Sequence, residues 1–122
     1  MKSRWINHNG VRVFISDFSD YGTDVAAMQT EADEIIKIIQ QEPAASILSL
    51  ALVEGTNANE QTMRVLQKQV SITNPHIKAR AIVGLHGFRK HLITAFARIT
   101  GRTQFIIFET EAEALDYLVK QD

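Results

Sequence analysis

Apolar and polar stretches alternate along the chain in a way that predicts strands and helices in turn. Residues 5–15 contain two short apolar-rich stretches around Asn9-Gly10, a dipeptide that accepts the positive φ values of a type I′ hairpin turn. Apolar runs of strand length follow at residues 46–53, 77–83 and 104–108. The run at 46–53 is apolar enough to predict a parallel strand that is buried on both faces.

Apolar residues at helical spacing predict four helices, at residues 23–41, 59–72, 85–100 and from Thr110 onward. Gly101 is well placed to end the third, and Thr110 with Glu113 predicts a capping box for the last. The predicted inward faces of the first and last helices are Val25, Met28, Ala32, Ile35, Ile36 and Ile39, and Ala112, Leu115, Leu118 and Val119.

The order of these elements is β-β-α-β-α-β-α-β-α, and it predicts an α/β fold. We expect a mainly parallel five-stranded sheet with one antiparallel edge strand from the hairpin. The length of 122 residues predicts one domain spanning residues 1–122.

Charge is unevenly distributed along a chain whose net charge is only −1. All fourteen carboxylates lie outside residues 61–108, nine of them before that segment and five after it. The segment itself carries eight cations: Arg64, Lys68, Lys78, Arg80, Arg89, Lys90, Arg98 and Arg102. This separation predicts a basic surface that faces an anionic ligand or partner.

The turn from Gly84 to Lys90 is the predicted site for such an anion. It leads from the carboxyl end of a strand into a helix, where free N–H groups and the helix dipole attract negative charge. Gly84, His86, Gly87, Arg89 and Lys90 are the predicted ligand-binding residues. The alternative is structural: Gly84 permits the turn and Gly87 lets the helix pack closely on the sheet. The turn has neither the Walker pattern nor Gly-x-Gly-x-x-Gly.

Other chemistry has little support in the sequence. The absence of cysteine excludes disulfides, thiolate catalysis and cysteine-based zinc sites. His86 and His91 are five residues apart, a poor spacing for a shared metal, so we predict no metal site and no cofactor. Asp17, Asp20 and Asp24 are interpreted as loop-forming and helix-capping residues rather than a magnesium site. No catalytic residues are predicted, and an enzyme is the less favoured interpretation.

Three segments resemble small bacterial STAS-like proteins, relatives of the anti-sigma-factor antagonist domain. They are the Val-Gly-Leu-His-Gly-Phe-Arg-Lys turn that ends at Lys90, the Thr-Gly-Arg that ends at Arg102, and the Phe-Glu-Thr-Glu-Ala-Glu-Ala-Leu stretch that begins at Phe108. The resemblance covers nearly the whole chain in element order and its last third in motif. It implies a non-catalytic regulatory or interaction module.

The resemblance also implies a phospho-acceptor hydroxyl at the start of the helix after the third strand. Thr56 is the hydroxyl available there, although the Asp-Ser-Ser-Gly pattern of regulatory anti-sigma antagonists is absent. The alternative function is a small-ligand-binding protein or an enzyme acting on a phosphorylated, acyl or lipid anion at the Gly84 turn.

The expected partners are therefore a protein or an anionic small molecule. Nucleic acid is not expected, because the net charge is not basic and the aromatic residues of the basic segment, Phe88 and Phe96, point inward on a helical wheel. No signal peptide or membrane span is predicted, and we expect a cytoplasmic protein. Trp5, Ile93 and Tyr117, which are not firmly assigned to the core, lead us to predict a homodimer.

Overall fold

Strands and helices alternate as the polarity pattern predicts. The computed structural model describes residues 1–57, 59–84 and 105–122. The strands are β1 (Arg4–His8), β2 (Val11–Asp17), β3 (Ile47–Leu52), β4 (Ile77–Val83) and β5 (Phe105–Phe108). The helices in these ranges are α1 (Val25–Ile39), α2 (Glu60–Thr73), a short 3-10 helix (Asn74–His76) and α3 (Glu111–Val119). The helix predicted at residues 85–100, with its end at Gly101, lies outside the described residues.

The five strands form one mixed sheet in the order β1-β2-β3-β4-β5. β1 is antiparallel to β2, and every later neighbour is parallel. The predicted α/β class and the mainly parallel sheet with one antiparallel edge strand are thus confirmed. The predicted hairpin turn is also present, because Asn9 (φ 53°) and Gly10 (φ 82°) adopt the left-handed conformation that joins β1 to β2.

Both faces of the sheet are buried. Phe14 belongs to the apolar cluster that packs under α1 and α2, whereas its neighbours Val13 and Ile15 belong to the cluster under α3. Right-handed crossovers between strands in sequential order place α1 and α2 on the same face. Among residues 1–57, 59–84 and 105–122, no helix has the length and apolar character needed to cross a bilayer.

The inward faces of the helices differ in detail from the predicted ones. In α3 the buried residues are Ala114 and Leu118, while Ala112 is exposed and Leu115 is half-buried. A short helix that contacts the sheet along one narrow line buries an i, i+4 pair more fully than a wide face. In α1 the predicted stripe is buried at Met28, Ala32, Ile35 and Ile39, whereas Val25 and Ile36 are half-buried.

Glu31 of α1 is a buried carboxylate that binds the backbone at the start of the chain. It is 3% exposed and accepts hydrogen bonds from the backbone nitrogens of Lys2 (3.2 Å) and Ser3 (3.0 Å) and from the Tyr21 hydroxyl (2.7 Å). Burial acts to raise the pKa of Glu31, but hydrogen bonds from Ser3, Tyr21 and Lys2 outweigh it and hold the pKa below its ordinary value. Glu31 is therefore not part of the exposed polar surface of α1.

We expect Glu31→Gln to weaken the fold at neutral pH and to flatten its acid denaturation. A carboxylate whose pKa is lowered on folding adds stability above its unfolded pKa, and this is lost as pH falls through the folded value. Hydrogen bonds to a charged acceptor contribute about 1.5–3 kcal/mol. Urea unfolding between pH 7 and pH 3 measures both effects. Asp33→Asn changes an exposed carboxylate on the same helix and is the control. If Glu31→Gln lost as much free energy of unfolding between pH 7 and pH 3 as the unsubstituted protein, this role would be contradicted.

Candidate functional site

The carboxyl ends of the parallel strands are level with one another. Asp17 at the end of β2 is opposite Leu52 of β3, Leu52 is opposite Val83 of β4, and Val83 is opposite Phe108 of β5. The loops after these strands therefore meet along one edge of the sheet. In open α/β sheets this edge is where ligands bind.

Backbone hydrogen bonds join the loop after β2 to the loop after β3. The Asp20 N–H donates to the Glu54 carbonyl (2.7 Å), the Gly22 N–H donates to the Gly55 carbonyl (2.9 Å), and the Asn57 N–H donates to the Gly22 carbonyl (2.8 Å). These bonds extend the parallel pairing of β2 and β3 beyond the strands. Because both loops are held at several points, the edge has a fixed shape before any ligand binds.

Gly84 brings the end of β4 into close contact with the same loop. Its φ is +92°, and a Cβ at this position would lie 2.7 Å from both the backbone nitrogen and the Cβ of Glu54. Any other residue would be strained and would displace the Glu54 backbone. This contact explains the glycine whether or not the turn binds a ligand. His86, Gly87, Arg89 and Lys90, the other predicted ligand-binding residues, lie outside the described residues.

A groove of about 400 Å³ opens at this edge. The exposed carboxylates Asp20, Glu54 and Glu111 contribute to its walls. The remaining described lining residues are Ser19, Leu52 and Val83. The described part of the groove is therefore acidic, a property that the sequence analysis missed. The sequence does place a carboxylate shortly after the ends of β2, β3 and β5. This pattern indicates a shared acidic groove only once the order of these strands in the sheet is known.

The three aspartates of the first loop have the structural roles predicted for them. Asp24 caps α1 by accepting the Ala27 N–H at 3.0 Å, and Asp20 stands in the turn with φ 60°. The Asp17 carboxylate accepts the Ser19 N–H at 3.0 Å and a hydrogen bond from Arg4 at 3.2 Å.

Burial acts to raise the pKa of Asp17, but the hydrogen bonds from Ser19, the charge of Lys2 and the hydrogen bond from Arg4 hold the pKa below its ordinary value. Asp17 is thus an ionised group that fixes the loop at the end of β2. Groups of three or more residues suited to hold a metal ion are absent from the described parts of the chain.

Thr56 lies beneath the joined loops. It is 5% exposed; its hydroxyl donates to the Phe18 carbonyl and accepts the Tyr21 N–H at 3.1 Å. The hydroxyl therefore connects the loop after β3 to the loop after β2. Transfer of a phosphoryl group to this oxygen removes the proton that bonds the Phe18 carbonyl, and the buried position requires the loops to separate to admit the group.

Comparisons of the chain with models of protein families, with curated proteins and with solved structures give no match. The arrangement of the chain's own residues at the carboxyl edge is therefore the guide to its function.

We expect Thr56→Val to destabilise the protein by about 1–3 kcal/mol, the range for leaving buried polar groups unpaired. Valine has nearly the same shape but cannot bond the Phe18 carbonyl or the Tyr21 N–H. Urea unfolding at pH 7 measures the difference. Thr56→Ser keeps the hydroxyl and is the matched control, with a smaller loss from the missing methyl group. Equal stability of the valine and serine variants would show that the hydroxyl does not hold the loops together.

Proposed function

We propose that the chain is a non-catalytic regulatory or interaction module of the STAS-like type, and that the carboxyl edge of its sheet is the interaction surface. The proposal is supported by the mixed sheet in sequential strand order, with its antiparallel first pair. It is also supported by the position of the Phe-Glu-Thr-Glu-Ala-Glu stretch of the resemblance, which runs from the end of β5 into the first turn of α3.

The observation that carries the proposal is the hydrogen-bonded pair of loops around the groove. Asp20 and Gly22 on one side bond Glu54, Gly55 and Asn57 on the other through backbone groups alone. A surface held in this way loses little conformational freedom when a partner binds, so more of the contact energy appears as affinity. A preformed groove is what a recognition module requires.

The ligand or partner is proposed to present an anionic group to the turn formed by Gly84, His86, Gly87, Arg89 and Lys90. The acidic wall adds a second requirement. An anion that approaches Gly84 comes close to Glu54 and is repelled by it unless the same partner also carries a cation. A protein segment or small molecule with both signs of charge fits this combination.

Phosphorylation of Thr56 remains a proposal. Because the hydroxyl is buried between the loops after β2 and β3, a phosphoryl group there would change how these loops are held together. A phosphoryl group adds a charge of roughly −1.5 to −2 at neutral pH. At Thr56 this charge would lie near Asp20 and Glu54, whose loops the hydroxyl now connects. Phosphorylation would therefore separate the loops and change the shape of the groove.

The alternative function is a small-ligand-binding protein or an enzyme that acts on a phosphorylated, acyl or lipid anion. The specific observation in its favour is the size of the groove. A volume of about 400 Å³ lies within the roughly 300–1,000 Å³ range of small-molecule sites.

A thermal-shift screen against nucleotides, phosphorylated metabolites and acyl or lipid anions tests the anion site. A ligand at ~100 times its dissociation constant adds about 2.7 kcal/mol of stability. We expect Arg89→Ala to lose the shift. Lys68→Ala removes an exposed cation from α2 and is the control that keeps it. No shift with any anion, or one that Arg89→Ala leaves intact, rejects the site. Turnover of a bound compound would favour the alternative function.

The homodimer is predicted from Trp5, Ile93 and Tyr117, and two of these residues are packed within the chain. Trp5 packs edge-on against Phe14, with ring centres 5.0 Å apart, and Tyr117 packs on Phe108 at 5.3 Å. Both therefore have partners within the chain, while Ile93 lies outside the described residues. The edge strand β5 offers a different contact, because Ile106 is 40% exposed.

We expect light scattering at low and high salt to show a dimer, and Ile106→Lys to shift it toward the monomer. A lysine on an edge strand opposes strand-to-strand association. Arg12→Lys, at an exposed position of β2, keeps its charge and is the control. A monomer of unsubstituted protein under both salt conditions rejects the dimer. A dimer present only at low salt indicates charge pairing instead of apolar burial.

A further inference from the structure

Arg80 is a charged residue inside the sheet. It belongs to β4, is 3% exposed, and stands opposite Ser49 of β3 on the face covered by α2. The charge pattern predicts that Arg80 belongs to a basic surface, and the structure corrects this. Its position on a strand that is buried on both faces prevents the side chain from reaching solvent.

The hydrogen bonds of Arg80 leave much of its guanidinium group unused. Nη2 donates to the Thr73 hydroxyl at 3.3 Å, and buried Nη1 has no hydrogen-bond partner among the described residues. The Thr73 hydroxyl is 3.4 Å from Nε2 of Gln69 and itself donates to the Gln69 carbonyl at 2.8 Å. These partners are neutral, so they do not balance the charge.

No carboxylate is available to balance it either. Arg80 takes part in none of the ion pairs found among the described residues. Aspartate and glutamate are also absent from residues 58 and 85–104, which the structure does not describe. Burial lowers the pKa of Arg80 to about 10, which still leaves it protonated at neutral pH. A buried charge with no counter-charge is strongly unfavourable.

A small cavity lies beside Arg80, between the sheet and α2. Its volume is about 20 Å³, and Ser16, Ser49, Gln69 and Arg80 contribute the polar part of its lining. The Ser16 hydroxyl is also buried, and residues 1–57, 59–84 and 105–122 provide no hydrogen-bond partner for it. About 10–15 Å³ measured in this way holds one water-sized occupant, so the cavity has room for a single small species and not for a phosphate group.

We propose that this cavity binds one halide-sized anion, chloride under ordinary conditions, which neutralises Arg80 and accepts the hydrogen bond of Ser16. A water molecule would satisfy hydrogen bonds but would leave the charge unbalanced. The site lies inside the core and is separate from the groove at the carboxyl edge. A test of this site therefore does not decide the proposed function, and the reverse is also true.

Urea unfolding at pH 7 in sodium chloride and in sodium gluconate, at equal ionic strength, tests the proposal. An anion that binds only the folded state lowers the unfolding equilibrium constant about tenfold for each tenfold rise in its concentration above the dissociation constant. We expect this dependence with chloride and bromide but not with gluconate, which is too large. Arg80→Met should abolish it. Arg64→Met removes an exposed arginine from α2 and should keep it.

Crystals grown in bromide give a second test that needs no variant. We expect an anomalous scattering peak in the cavity beside Nη1 of Arg80. The same stability in chloride and gluconate overturns the proposal, as does a halide effect that persists in Arg80→Met. If Arg80→Met does not fold, the bromide crystals decide: a cavity that contains only water refutes the site.

Discussion

The sheet is buried on both faces, and this constraint determines where every polar side chain of the central strands can go. A strand at the edge of a half-exposed sheet can send alternate side chains into water, but β3 and β4 cannot. Most of their residues are accordingly apolar and fall into the two clusters on either side of the sheet. The polar exceptions are Lys78, which is exposed, and Ser49 and Arg80, which are buried side by side in register on the α2 face.

The same constraint leaves the carboxyl edge of the sheet as the place for exposed polar groups. With both faces covered by helices, the ends of the strands and their loops are the places where polar groups of different strands can meet. The level ends at Asp17, Leu52, Val83 and Phe108 bring the loops together. The close approach at Gly84 and the backbone bonds around Gly22 then fix the loop positions. Three carboxylates consequently share one groove although they are far apart in sequence.

Sequence pattern predicted the local structure well because local structure depends on neighbours in the chain. β4 has the predicted bounds of residues 77–83, the Asn9-Gly10 turn joins β1 to β2, and Thr110 caps α3. The burial of Glu31 and Arg80 was not predicted, because a helical wheel or a run of strand residues assigns charged side chains to the surface. The acidic wall was also missed, since recognising it requires the strand order, which no short-range pattern contains.

Glu31 and Arg80 are two of the buried charged residues, and they differ in whether the described chain supplies their partners. Glu31 is an anion, and an anion can be stabilised by backbone N–H groups, which the first residues of the chain supply along with the Tyr21 hydroxyl. Arg80 is a cation that needs acceptors. In the middle of a sheet the backbone carbonyls are already engaged in pairing with neighbouring strands. A cation in this position depends on a side-chain acceptor or on an ion from solution. Among the described residues, the Thr73 hydroxyl is the one side-chain oxygen that accepts a hydrogen bond from its guanidinium group. The geometry of the sheet, more than the identity of any one neighbour, is therefore why we expect Arg80, and not Glu31, to take a counter-ion from solution.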